Sequence, residues 1–267
     1  MIPIALTIAG SDPSGGAGIQ ADLKTFHQFG VYGTSVLTLV TVQNTVEVSR
    51  VEVLAADLVA EQLEAVSSDM SLRAAKTGAL GSVAIIEEVA ARAAEFSFPL
   101  VIDPVMISKH GASLLSEPAR SALVHELLPH AFLLTPNLQE AFAICGIESW
   151  DQRGVEYAAR AIADLGPQAV LVKGGHLHGD APEAPETEAK DTLFWKGELH
   201  HFTAPRIRTK NTHGTGCTLS AAITACLAQG MGLIAAVETA KRFITRAIET
   251  NPGIGKGYGP VNHMVSP

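Results

Sequence analysis

The stretch Ile4-Ala5-Leu6-Thr7-Ile8-Ala9-Gly10-Ser11-Asp12-Pro13-Ser14-Gly15-Gly16-Ala17-Gly18-Ile19-Gln20-Ala21 decides the fold class. Its first half is a short apolar run ending in glycine, the pattern of a strand buried on both faces. Its second half turns through proline and glycine into the start of a helix. Similar apolar runs recur at 35–42, 74–77, 100–102, 132–134 and 169–172. Between them, residues 58–66, 84–94, 119–128 and 155–165 carry apolar side chains at i, i+3 and i+4 spacing, the mark of a helix with one buried stripe. Alternating strands and helices predict an α/β chain whose mostly parallel sheet has helices on both faces. Two short segments around 191–203, separated by Lys196-Gly197-Glu198, predict an antiparallel hairpin on the sheet edge. The polar, proline-rich residues 178–186 read as a mobile surface loop. Neither repeat nor linker interrupts the pattern, so residues 1–267 are expected to form one domain.

Composition narrows the function. With 27 Asp plus Glu against 19 Lys plus Arg, the 267 residues carry a formal charge of −8, and no Lys/Arg run is present. Binding to nucleic acid draws its affinity from clustered cations, so no nucleic-acid partner is expected. A hydrophobic share of 47% against 17% charged residues is too apolar for a disordered chain. Cys145, Cys217 and Cys226 are an odd set at no metal-ligand spacing, which argues against a disulfide framework or structural zinc and for a reducing, cytoplasmic setting. His176-x-His178 lacks a third ligand. The first residues carry no cationic segment ahead of Asp12 and Pro13, so they read as a strand and not as a signal peptide. Residues 214–237 are uncharged, long enough to suggest a membrane span, but Gln229-Gly230-Met231-Gly232 interrupts them. Two buried helices are predicted there, no membrane partner is expected, and the uncharged 29–46 stretch is read as a buried strand.

In an open parallel sheet ligands sit beyond the carboxyl ends of the strands, so chemistry is sought in the loops that follow them. In the first loop, Gly16-x-Gly18-x-x-Ala21 invites a dinucleotide reading. That reading needs an acidic residue after the second strand, where Gln43-Asn44-Thr45 stands instead. The alternatives left are a packing turn or a close approach to a small polar substrate. No Gly-x-x-x-x-Gly-Lys-Ser/Thr is present, which excludes a P-loop. Asn211-Thr212-His213-Gly214-Thr215-Gly216-Cys217-Thr218 runs into a long helical segment, where free amides and the positive helix end favour an anion. Cys217 at that helix start is expected to have a depressed pKa, unless it is a small core residue. Asn137 and Glu140 fit a local helix cap and also fit a site for hydrated Mg²⁺. Lys173 follows a buried strand, where a cation has little structural use, and points to a phosphate contact. Asp103 ends another strand and either supports a metal or caps the turn.

Taken together, these residues resemble the ribokinase-like superfamily, and within it the hydroxymethylpyrimidine/phosphomethylpyrimidine kinases of thiamin biosynthesis. The resemblance spans nearly the whole chain, from Ala5 in the first strand to Gly259-Pro260-Val261. It is most specific at Asn211-Thr212-His213-Gly214-Thr215-Gly216-Cys217-Thr218-Leu219-Ser220, where sugar kinases of the superfamily carry Asp at the position of Cys217. It implies a three-layer sandwich, ATP and Mg²⁺ as cofactors, a pyrimidine substrate phosphorylated twice, and a homodimer. It further implies that Gln43 binds the aminopyrimidine, with Gly10, Ala17 and Asp22 completing the pocket. Gly214, Thr215 and Gly216 would supply the anion hole, and Cys217 would face the hydroxymethyl oxygen. Asn137, Lys173, Thr212 and Thr215 would meet the nucleotide phosphates, with Glu140 and Asp103 toward the metal. Ala79 stands where many relatives carry Met and Glu47 where they often carry Gly, so a pyridoxal-type substrate is the nearest rival. Two further readings compete with it, a pyrimidine-phosphate sensor without turnover and a dinucleotide-dependent oxidoreductase.

Overall fold

The computed structural model describes residues 2–106, 115–147, 151–174 and 187–267. Nine strands are present among them: β1 (Ile4–Ser11), β2 (Tyr32–Gln43), β3 (Val48–Val53), β4 (Ala74–Thr77), β5 (Leu100–Ile102), β6 (Leu133–Leu134), β7 (Ala169–Val172), β8 (Glu188–Trp195) and β9 (Glu198–Pro205). They form one sheet in the order β3-β2-β1-β4-β5-β6-β7-β8-β9. The six strands from β2 to β7 are mutually parallel. Antiparallel pairing closes both edges, through β3 on one side and the β8–β9 hairpin on the other. The hairpin stands where the sequence predicts it.

Period-2 alternation sends neighbouring residues of the central strands into two separate apolar layers. Leu6, Ile8, Leu100, Ile102, Leu134 and Val170 pack into one of them. That layer is closed by α2 (Ala56–Asp69), α3 (Val83–Ala93), α4 (Glu117–Ala122), α5 (Leu138–Cys145) and α6 (Gln152–Ala163). Ala5, Ala74, Val101, Leu133 and Leu171 face the opposite layer, which α1 (Gly18–Gln28), α7 (Thr215–Ala228) and α8 (Leu233–Glu249) cover. Every residue of α7 from Thr218 to Ala228 is buried, which explains its lack of charge: the helix is enclosed all round and has no face for solvent. Gly230, at φ +86, belongs to the break between α7 and α8. Among the described residues no helix is long and apolar enough to cross a membrane.

Three local readings change. Residues 48–53 form an unforeseen strand; Val-Ser-Arg-Val-Glu-Val has no buried run, and β3 is mostly exposed, held by pairing with β2 alone. β2 is not buried throughout, because beyond the Val40–Ser11 pair it leaves β1 and runs out as a ribbon with β3, exposing Val40 and Val42. The helix expected at 119–128 begins as α4 but widens into a π turn at Leu123–Leu127 and tightens at Leu128–His130, where Pro129 cannot continue an α-helix. The surface loop expected at 178–186 and His176-x-His178 lie outside the described residues.

The β7 loop is tied down from the far edge of the sheet. Asp191 of β8 accepts the Gly174 N–H at 3.0 Å and the Lys241 ammonium of α8 at 2.7 Å, with both side chains largely buried. Gly174 is required there, because a Cβ would collide with the Lys190 carbonyl. Removing one partner of a buried ion pair leaves the other charge uncompensated. Lys241→Met is therefore expected to lower unfolding stability in urea by about 3–5 kcal/mol, and Asp191→Asn added to it is expected to recover part of that loss.

Candidate active site

The first loop is organised by one carboxylate. Asp12 accepts hydrogen bonds from Ser14 N and Ser14 Oγ (both 2.9 Å), Gly16 N (3.2 Å) and Ala17 N (2.9 Å), and its Oδ2 lies 2.7 Å from His213 Nε2. Burial pushes the Asp12 carboxyl up, but the bonds from His213 and Ser14 outweigh it and hold the group below its ordinary range. Two of the amides that a pyrophosphate would need here are thus already bound to a side chain of the loop itself. That removes the structural basis of the dinucleotide reading. Gly10 is buried, and a Cβ on it would stand 2.5 Å from Leu39 Cδ1. Ala17 caps α1 and spends its N–H on Asp12.

The glycine motif ahead of α7 packs directly on that loop. Gly214 adopts φ +78, and any Cβ on it would collide with the Gly16 carbonyl. Thr215 Oγ1 donates to the Thr212 carbonyl at 2.6 Å, closing the turn locally. The first bond of the helical ladder runs from Thr218 N to Gly214 O, so the Gly216 and Cys217 amides stand ahead of it at the positive helix end. Gln43, at the end of β2, reaches the same place, with its Nε2 3.2 Å from His213 Nε2.

Beneath the N-terminus of α7 lies a group of buried charges. Lys173 Nζ donates to Asp103 Oδ1 at 2.9 Å, and Asp103 Oδ2 is 3.4 Å from Ser220 Oγ of α7. A Cβ on Gly216 would stand 3.2 Å from that ammonium, so glycine lets the helix start settle onto the cation. Burial opposes the charge on Lys173, but Asp103 and Glu140 outweigh it and raise its pKa. Beside it, Lys76 of β4 has no exposed surface and donates to Asp22 Oδ1 of α1 at 2.7 Å, while Thr7 Oγ1 donates to Asp22 Oδ2 at 2.6 Å. Despite its burial, Lys76 is held protonated by Asp22. Asp22 is thus wholly enclosed and offers no exposed surface for the pocket contact expected of it.

Asn137 and Glu140 realise the capping alternative: Asn137 Oδ1 accepts Glu140 N at 2.9 Å, and Glu140 Oε2 accepts Asn137 N at 2.8 Å. Glu140 Oε1 also faces Met106 N at 3.3 Å, and burial raises its pKa against the pull of Lys173. Cys217 corrects the sequence expectation. Its thiol is pushed up to about 11, because burial outweighs the favourable Lys76 charge and the hydrogen bond from the Gly18 backbone, while Asp22 and Asp103 push the same way as burial. The thiol is neutral at physiological pH.

The structure therefore brings Asp103, Lys173, Gly216, Cys217 and Glu140 together, with Gln43 and the first loop alongside. It places Thr212 and Thr215 in the turn that leads into α7. Sequence reading missed Lys76, Asp12 and His213. A lysine inside the buried run Ala74–Thr77 was the signal for the first, by the same reasoning that singled out Lys173. No local signal joins Asp12 to His213, which are 201 positions apart. Among the described residues no cluster of three or more His, Cys, Asp or Glu side chains is arranged to hold a metal alone.

Comparison with known proteins gives the family. The phosphomethylpyrimidine kinase family profile matches residues 12–262. A hydroxymethylpyrimidine/phosphomethylpyrimidine kinase of Synechococcus elongatus is 47% identical over 264 residues, covering 98% of both chains. The crystal structure of a phosphomethylpyrimidine kinase from Clostridium difficile is 43% identical with a TM-score of 0.80, covering 93% of this chain and 100% of that one. A Staphylococcus aureus pyridoxal kinase in complex with AMP-PCP and pyridoxal is 33% identical with a TM-score of 0.87, over 99% of this chain and 94% of that one. With its sheet order, its glycine entry to α7 and the cations gathered beneath it, the chain belongs to the phosphomethylpyrimidine kinase family.

Proposed function

We propose that this chain transfers the γ-phosphoryl group of ATP to the alcohol of 4-amino-5-hydroxymethyl-2-methylpyrimidine and then a second phosphoryl group to the resulting monophosphate, within thiamin biosynthesis. The observation that carries this reading is the Lys173–Asp103 pair set against Gly216, one residue before Cys217, at the positive end of α7. Phosphoryl transfer passes through a loose transition state whose charge lies on the phosphoryl oxygens, so catalysis is mainly alignment and charge stabilisation. Gly214, Thr215 and Gly216 present backbone to that charge, and Lys173 adds a cation kept protonated by its carboxylate neighbours. Asn137 and Thr212 lie at the loops that would meet the remaining phosphates. Gln43 would read the aminopyrimidine edge, beside the loop that carries Gly10 and Ala17.

The carboxylates Asp103 and Glu140 both keep Lys173 charged. Two such oxygen-donor groups suit Mg²⁺, which keeps most of its waters and binds through few carboxylates. These residues would hold it on the nucleotide, where it supplies neutralising charge. A sensor without turnover has no use for a cation held at a helix start beside a nucleophile-facing thiol. We further propose that the chain acts as one domain, in the cytoplasm, as a homodimer that packs through the exposed β2–β3 ribbon. Val42, 55% exposed, stands on that ribbon with Val40.

The reading is tested by ADP release with Mg-ATP and, separately, the pyrimidine alcohol, its monophosphate, pyridoxal and ribose. Turnover of both pyrimidines well above the others is expected; pyridoxal alone as substrate would move the protein to the neighbouring activity. Because the second acceptor is already anionic, Cys217→Ser is expected to slow the first transfer more than the second, and equal losses would remove Cys217 from the alcohol's path. A thiol with a pKa of about 11 binds its proton throughout the neutral range. Iodoacetamide alkylation of Cys217, followed by peptide mapping, should still rise about tenfold per pH unit near pH 9, and a plateau below pH 8 would contradict the buried, neutral thiol. Light scattering should show a dimer that Val42→Glu converts to monomer; a monomeric parent protein would count against the ribbon interface.

A further inference from the structure

A loop near the end of the chain joins the two turns that frame the site. Tyr258 N donates to the Thr45 carbonyl at 2.7 Å and Gly257 N to Thr45 Oγ1 at 3.2 Å, so residues 257–258 are fixed to the turn that follows Gln43. Gly257 is needed for that approach, because a Cβ on it would collide with the Thr45 carbonyl. On its other side the same loop holds the turn that enters α7: Gly259 N donates to Asn211 Oδ1 at 3.1 Å, and the Gly259 carbonyl accepts His213 N at 3.1 Å. The loop thus has no freedom to leave the rim between Gln43 and the glycine motif.

This strap brings two cations together. Lys256 lies on it, and Lys210, ahead of Asn211, places its Nζ 3.5 Å from the Lys256 carbonyl. Both lysines are exposed, and among the described residues neither forms an ion pair with a carboxylate. The buried lysines of the site differ in this respect, since Lys76 is paired with Asp22 and Lys173 with Asp103. Glu47, exposed on the turn that carries Thr45, brings a charge of the opposite sign to the same rim. The remainder of the molecule is acidic, with a formal charge of −8 over the whole chain. An anion approaching it is repelled at long range and attracted only where cations stand uncompensated.

We propose that Lys210 and Lys256 form a cationic rim that favours the phosphate monoester over the alcohol as acceptor, with Glu47 opposing them. This rests on the reading that the pyrimidine alcohol and its monophosphate are both acceptors here. The monoester carries about two negative charges at neutral pH, whereas the hydroxymethyl group carries none. Mg-ATP is common to both transfers, so its own charge cancels when the two acceptors are compared. Neither lysine touches the reacting atoms; they act on the approach and binding of the acceptor, and their effect belongs in its KM.

The test is the ratio of kcat/KM for the monophosphate to that for the alcohol, measured with the full chain at saturating Mg-ATP. The double variant Lys210→Gln, Lys256→Gln is expected to lower that ratio about fivefold, through KM of the monophosphate, with kcat changed less than about twofold. Glu47→Gln is expected to raise it about twofold. Arg73→Gln removes one positive charge at the other end of the sheet, where Arg73 precedes β4 and is exposed, and is expected to leave the ratio unaltered. A ratio unchanged in the double variant, or lowered as much by Arg73→Gln, would overturn the rim. The parent protein decides the point should the double variant fail to fold. Raising ionic strength from about 0.05 M to about 0.5 M screens the lysines and should lower the ratio, and a flat or rising ratio would overturn the proposal. If the parent turns over neither pyrimidine, the kinase reading itself fails, whatever the lysines do.

Discussion

Charge buried beneath the amino end of α7 is the constraint on which the site depends. Asp22, Lys76, Asp103 and Lys173 all lie at or below the carboxyl ends of parallel strands, and the first two have no exposed surface at all. Isolated charges in such a place would be expelled or neutralised, because taking an ion out of water costs far more than ordinary packing returns. They persist because they are paired at 2.7 and 2.9 Å and further bonded by Thr7 and Ser220. Buried pairs of this kind are weak sources of stability. Their retention in the middle of an apolar sheet fits the proposed reading, in which the charge itself is used.

Glycine lets the backbone approach these charges. Gly216 leaves Lys173 room to settle against the helix start, Gly214 lets the second glycine loop touch the first, and Gly174 lets β7 lie against β8. Each is a place where the chain carries no side chain because another part of the chain occupies the space. The same logic explains why the first loop resembles a dinucleotide-binding turn yet is not one. Its glycines serve close packing on β2 and α7, and its amides are bound to Asp12.

The architecture was legible wherever burial wrote a period into the sequence. The central strands from β4 to β7 and the α7–α8 break follow from apolar runs and glycine alone. β3 was not legible, since an edge strand held by backbone bonds along one side needs no apolar pattern. The site was legible where a residue type was out of place, as with Lys173 after a buried strand. Lys76 was equally out of place, and only the shortness of its strand hid it. Asp12 and His213 were illegible for a different reason: nothing in the local sequence of either tells which distant loop it will meet, and the pairing follows from the β1–α1 and α7 elements packing together.

Asn137 and Cys217 show how position along a helix and position in the fold can disagree. For Asn137 the local reading holds and leaves room for the proposed functional one, because a capping box leaves Glu140 buried near Lys173 while its backbone bonds are satisfied. For Cys217 they conflict. A helix N-terminus offers roughly half a unit of positive charge, spread over the first turn, and from sequence this favours a thiolate. The structure buries the sulfur near two carboxylates, and desolvation outweighs Lys76 and the hydrogen bond from the Gly18 backbone together. A neutral thiol suits a loose transition state better than the sequence argument implied, because the acceptor's proton departs late and a permanent anion beside the incoming phosphoryl oxygens would repel them. In the proposed reading, the positive charge that the transferred group needs comes from Lys173 and the helix amides, and the thiol proposed to face the acceptor is kept uncharged.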